Sequence, residues 1–304
     1  MRRLAWLLLA VSLLALAACG RALTPAAPSR EGELMVVAAE SFLADIAQHV
    51  VGSRLVVSTL MPAGVDPHAY EPTPGDLARV ADSDVLIING AGLEEPLLEM
   101  LHNAGGERLV IEASAGLVSR TVPEAPASGE HREGDPHFWL DPNHVIHYVE
   151  NIRTGLSQAD PQGAATYEAN AQEYVTRLAE LDRWIVAQVA AIPADRRLLV
   201  TNHESFGYFA DRYGFRVVGS IIPSVSTGAS PSARQLAELV DAVRAAGVRA
   251  VFLETGSNPQ LAQQLAREVG IRVVTELYTH SPGPAEGYIG MMEYNTRAIV
   301  GALQ

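Results

Sequence analysis

The chain has 304 residues, 48% of them hydrophobic and 19% charged, a formal charge of −13, one cysteine, and arginine at all 22 of its basic positions. That is enough chain for one large core or two smaller ones, and its acidity argues against nucleic acid or an anionic bilayer surface as a partner while suiting a cation. A single cysteine excludes an intrachain disulfide and a thiolate cluster, so any site for a borderline metal has to be built from histidine and carboxylate.

Residues 1–18 read as a signal peptide. Arg2 and Arg3 precede the apolar run "LAWLLLAVSLLALAA", which ends in "LAAC". The run is short for a membrane span of ~20 residues. The pattern resembles a bacterial lipoprotein signal, with Cys19 as the lipidated mature N-terminus. Residues 19–33, rich in Ala, Pro and polar side chains, read as a flexible tether.

From residue 34 the pattern alternates. Strands are expected over 34–39, 54–60, 84–90 and 107–113, and helices over 41–52, capped by Ser41, then 73–83 and 94–104. Thr73 and Pro74 supply an N-cap and a first-turn proline for the second of these helices. The stretch 119–135 lacks apolar periodicity and reads as a surface loop. Residues 161–192 predict one long helix, with Tyr167, Tyr174, Leu178, Leu181, Ile185 and Val189 forming an apolar stripe. The second half repeats the logic. Strands are expected over 197–203, 215–222, 248–254 and 271–277, and helices over 204–214, 230–247 (Ser230 as cap), 258–270 and 287–303. This predicts an α/β fold with mostly parallel sheets, divided into an N-terminal lobe 34–160, a connecting helix 161–192 and a C-terminal lobe 193–304.

Nine histidines are present. His68 lies in "GVDPHAYEPTPGDL", a loop too rich in Pro and Gly for helix or central strand. His137 lies in "DPHFWLDP" and His203 ends the strand "RLLVTNH". In parallel α/β sheets ligands bind outside the carboxyl ends of the strands, where His203 and Glu276 fall. Each such histidine taken singly is more often a hydrogen-bonded structural residue. Together, three imidazoles and a carboxylate make a ligand set for a borderline divalent cation. Asp66 or Glu71 is placed to orient the ring of His68, and Asp135 or Asp141 that of His137, although all four acids equally suit turns and helix caps. His144 and His147 form a rival i, i+3 pair. His131 sits in the loop, and His49, His102 and His280 read as surface or capping residues.

Five ordered segments carry a resemblance: "MPAGVDPHAYEPTPGDLARVADSDVLIINGAGLE", "DPHFWLDP", "NHESFGYFADRYGF", "SPSARQLAELVDAVRAAGVRAVFLE" and "GYIGMMEYNTRAIVGAL". They resemble the zinc/manganese solute-binding lipoproteins of ABC transporters, the ZnuA/TroA-like or cluster A-I group, over residues 34–303. The resemblance implies two α/β lobes bridged by a rigid helix, with one ion between them held by His68, His137, His203 and Glu276. His at the third position is similar to the zinc-type receptors, where manganese-type receptors have Glu. The fourth position is usually Asp. It also implies an exported, lipid-anchored monomer that delivers Zn2+, or alternatively Mn2+, to an ABC permease and its ATPase, with no catalytic residues. A zinc hydrolase is the reading from another class, opposed by the absence of HExxH; a metal-binding adhesin leaves the site unchanged. Because imidazoles bind metal only when neutral, affinity is expected to fall in mild acid.

Overall fold

The computed structural model describes residues 34–94, 97–100, 107–121 and 134–304. The signal and tether expected over 1–33, with Cys19, lie outside the described residues, as do His102 and His131. Leu34–Gln304 forms one compact unit.

Before the long helix come β1 (Val36–Ala38), α1 (Ser41–Val51), β2 (Val57–Thr59), α2 (Pro74–Ala81), β3 (Val85–Ile88) and β4 (Leu109–Glu112). Their strands form one parallel sheet in the order β2-β1-β3-β4. β3 is buried along its whole length, as expected for a strand covered on both faces. Thr73 caps α2 in a reciprocal capping box with Asp76. At α1 the N-cap is Glu40, one residue before the expected Ser41, and its side chain makes no capping bond.

Then follow α3 (Pro142–Ala159) and α4 (Ala164–Val189). Asp141 caps α3 by accepting from the Asn143 N–H at 2.9 Å. α4 has 26 residues, about 39 Å at 1.5 Å per residue. It starts later than position 161 because Pro161–Gly163 first forms a 3-10 turn. The expected stripe is its buried face, from Tyr167 to Val189.

The remaining elements are β5 (Leu198–His203), α5 (Gly207–Tyr213), β6 (Arg216–Ile222), α6 (Ala233–Ala246), β7 (Ala250–Glu254), α7 (Gln260–Val269), β8 (Arg272–Leu277) and α8 (Gly287–Leu303). β5 pairs with β6 and β7 with β8, both parallel, and β5 runs beside β7. Ser232, not Ser230, caps α6, because only Ser232 has Gln235 three residues on to complete the reciprocal bonds. The largest apolar cluster joins α1, α3, α4 and α8 to residues of both sheet regions, from Val36 to Leu303. Smaller clusters lie beneath α6 and α7 and on the α2 side of β1 and β3. The result is an α/β fold of parallel sheets flanked by helices, with one long helix through its core.

Candidate metal centre

Four histidines from four separate loops or strand ends meet: His68, His137, His203 and His280, with one ring nitrogen of each lying within 4.8 Å of all the others. His68 lies on the 3-10 turn Pro67–Ala69 after β2, where Asp66 Oδ1 accepts its backbone N–H at 3.0 Å. His137 immediately precedes the turn Phe138–Leu140. His203 is the last residue of β5, and His280 lies in the loop after β8.

Two buried carboxylates face Nδ1 atoms of the rings, and the one on His137 is hydrogen-bonded to it. Asp135 Oδ1 accepts from both the backbone N–H and Nδ1 of His137, at 3.0 and 2.9 Å. Glu254, at the end of β7, places Oε1 2.7 Å from His203 Nδ1 and Oε2 3.8 Å from His280 Nδ1. Its remaining capacity is met by Ser205 and Thr279, whose hydroxyls donate at 3.1 and 2.5 Å. An imidazole that donates through Nδ1 presents a bare lone pair at Nε2. Yet His137 Nε2 lies 3.1 Å from His203 Nε2 and 3.2 Å from His68 Nε2, and the buried Nε2 of His280 has no hydrogen-bond partner. Lone pairs converging at that spacing repel unless a cation sits among them. Tetrahedral Zn–N bonds of about 2.0–2.1 Å would place neighbouring nitrogens about 3.3–3.4 Å apart, so the donor set fits such an ion.

The electrostatics favour the neutral, lone-pair-bearing form of three of the four rings. Burial, with the nearby His203 charge, lowers the pKa of His68 to about 4. Burial and the same neighbour push His137 well down. His280 is also well below its ordinary value through burial. For His203 burial acts the same way, but the Glu254 charge outweighs it and the net shift is upward. Burial likewise opposes the Glu254 charge, and His203 overcomes it, holding that carboxyl far below the usual range. Trp139 closes one side, its Nε1–H donating to the Thr279 carbonyl at 2.6 Å while its ring stacks on Phe42. A cavity of about 440 Å3, lined by Asp66, Asn202, Thr227, Glu254 and His280 among others, adjoins the cluster.

The fourth expected ligand is corrected. Glu276 is exposed and lies outside the cluster, and His280 occupies the fourth place. The cause is local. Opposite β7 the register slips, Phe252 facing Val274 and Glu254 facing Leu277, so β8 carries one extra residue. Glu276 takes up that slack at φ 73°, which costs a non-glycine residue about 1–3 kcal/mol, and Leu277 turns into the core instead.

Of the four expected orienting acids, only Asp135 bonds to a ring of the cluster. Asp66 caps the turn bearing His68 and accepts from Thr227 Oγ1 at 2.6 Å, Glu71 is exposed, and Asp141 caps α3. The rival pair does not share a site: His147 Nε2 meets the Ala115 carbonyl at 2.7 Å, whereas His144 packs edge-on to Phe138 and Tyr208. His49 stacks on Tyr174. Glu254 and His280 were findable from the strand-end rule that picks out His203, since one ends a parallel strand and the other follows one.

Four inward-facing imidazoles, gathered from loops and one strand end, are a donor set that could hold a divalent cation. The chain belongs to the family described as the periplasmic component A of the zinc-uptake complex (ZnuA), whose pattern it matches over residues 36–302. It is 36% identical over 299 residues to the manganese-binding lipoprotein MntA of Halalkalibacterium halodurans, covering 96% of each chain. It is 32% identical over 283 residues to the zinc-binding protein TroA of Treponema pallidum, covering 90% of each. A manganese-bound periplasmic metal-binding protein of Candidatus Liberibacter asiaticus superposes with a TM-score of 0.81 at 26% identity, over 90% of this chain and all of that one. The protein is thus an extracytoplasmic divalent-metal receptor of an ABC importer and not an enzyme. Among the described residues no helix is long and apolar enough to cross a membrane.

Proposed function

We propose that the cargo is Zn2+, held by His68, His137, His203 and His280, and delivered to an ABC permease and its ATPase by a monomeric receptor anchored through a lipid on Cys19. The observation carrying the metal assignment is the donor set: four imidazole nitrogens within 4.8 Å and no carboxylate among them. Neutral imidazole suits zinc, whereas oxygen-rich sets suit manganese, and zinc stands above manganese in general affinity. Manganese is the second reading, favoured by the similarity to MntA. Metal analysis of protein purified without chelator, followed by zinc–manganese competition in a calorimeter, separates them. Zinc at one equivalent, undisplaced by excess manganese, is expected. Manganese as the retained ion, or displacement of zinc by manganese, would overturn the assignment.

A further inference from the structure

The side chain of His137 is held by Asp135, and Asp135 is in turn held by a residue outside the metal centre. We propose that Arg120 is a positioning residue for the ion, fixing the Asp135 carboxylate that orients His137 and thereby setting how long the metal stays bound. This rests on the metal-centre reading above.

Arg120 is held through both backbone polar groups and two of its guanidinium nitrogens. Its backbone N–H donates to Tyr208 Oη at 3.0 Å, and its carbonyl accepts from the Asp135 N–H at 3.1 Å. The guanidinium reaches Asp135 Oδ2 through Nη1 at 3.3 Å and Asp211 Oδ2 through Nε at 2.7 Å, lying 5.6 Å from the centre of the Tyr208 ring. Tyr208 closes the loop by donating to the Asp135 carbonyl at 2.7 Å. The division of labour on Asp135 is complete: Oδ1 serves His137 twice and Oδ2 serves Arg120.

A second observation marks the arrangement as built. Gly207, at the start of α5, lies directly beneath the guanidinium. A Cβ there would sit 1.7 Å from Arg120 Nη1 and 2.9 Å from Asp135 Oδ2. Gly207 does not have a left-handed φ, so its bareness serves the passage of the arginine rather than a turn. The Asp135 side chain is 1% exposed. If Arg120 is lost, Oδ2 is left in the interior without its donor, at a cost to a buried acceptor. Rotation of the carboxylate to recover a partner then takes Oδ1 away from His137 Nδ1. Outer partners of metal-bound histidines typically change affinity about 10–100-fold when removed. Arg120 acts through one further bond, so the lower end, about tenfold, is expected.

The test uses the full chain with Zn2+ as probe, a chelator competition for affinity, stopped-flow transfer to chelator for dissociation, and 15N shifts of the imidazoles. Arg120→Met should bind about tenfold more weakly, through faster dissociation, with the His137 Nδ1 resonance displaced. Arg120→Lys should recover part of the loss, since a point charge replaces a planar fork. Gly207→Ala, whose Cβ would displace the Arg120 guanidinium and crowd Asp135 Oδ2, should move affinity and resonance in the same direction as Arg120→Met, and serves if the latter fails to fold. Affinity within twofold of wild type in both Arg120→Met and Gly207→Ala would overturn the proposal. So would weaker binding with the His137 resonance unmoved, which is the mark of general loosening. A wild-type chain that binds neither zinc nor manganese would instead remove the metal-centre reading itself.

Discussion

Replacing His280 by alanine is the sharpest probe of the centre, because the sequence and the structure name different fourth ligands. Four-ligand zinc sites bind with apparent free energies of about 10–16 kcal/mol, so one imidazole among four accounts for roughly 3 kcal/mol, or a hundredfold or more in affinity. The nitrogen that His280→Ala takes from the cluster, Nε2, is buried without a hydrogen-bond partner, while Nδ1 makes only long contacts, at 3.4 Å to Thr279 Oγ1 and 3.8 Å to Glu254 Oε2. Apo stability should therefore change far less than affinity. Glu276→Ala should leave binding within about twofold, and relieving the side chain at φ 73° with glycine, Glu276→Gly, should stabilise the fold. Competition titration with a chromogenic chelator, paired with urea unfolding of the apo forms, measures both. A large affinity loss in Glu276→Ala alongside wild-type binding in His280→Ala would refute the assignment and the register argument behind it.

Three further outcomes are expected. Glu254→Gln should weaken zinc binding about 10–100-fold by competition titration, because the carboxylate lies 2.7 Å from His203 Nδ1. Asp182 joins α4 to Arg212, Tyr213 and Asn143. Burial opposes its charge, but the Arg212 guanidinium prevails and its pKa is lowered. Its contribution is therefore present above the unfolded carboxylate value of about 3.9 and is lost as pH falls through the lower folded value. Asp182→Asn should cost about 2 kcal/mol at neutral pH, less than a fully buried pair because the Arg212 side chain is 40% exposed. The same variant should flatten the acid limb of the stability curve read from urea midpoints. Finally, Cys19→Ser should move the protein from the membrane to the soluble fraction, leaving zinc affinity unchanged in a titration of the released form.

Much of this was legible in the residues because punctuation and periodicity agreed. The stripe from Tyr167 to Val189 marks α4 without ambiguity, and no Gly or Pro interrupts it. His68 and His137 stand out through the prolines beside them, and His203 through its place at a strand end. The fourth histidine of the cluster was hidden by geometry rather than composition. A strand read as regular puts Glu276 at its edge, and only the slipped pairing of β7 with β8 shows that this residue turns outward. The same slip explains why His280 read as peripheral. The N-cap of α6 lies two residues past Ser230, because neighbouring serines offer equal local chemistry and only the reciprocal glutamine bond selects Ser232; that of α1 falls on Glu40, which makes no side-chain capping bond for the sequence to signal. Arg120 gave no local signal at all, its partners being 15 and 91 positions away.

The shared apolar interior has a thermodynamic corollary. Side chains from Val36 to Leu303 belong to one contiguous cluster running along the central rod, so neither half can melt without stripping cover from the other. Heating should yield a single calorimetric transition with equal van't Hoff and calorimetric enthalpies, and cargo capture should raise its midpoint as a whole. Amides of α1, whose Phe42 stacks on Trp139 beside the histidines, should then gain protection from hydrogen exchange when the ion arrives.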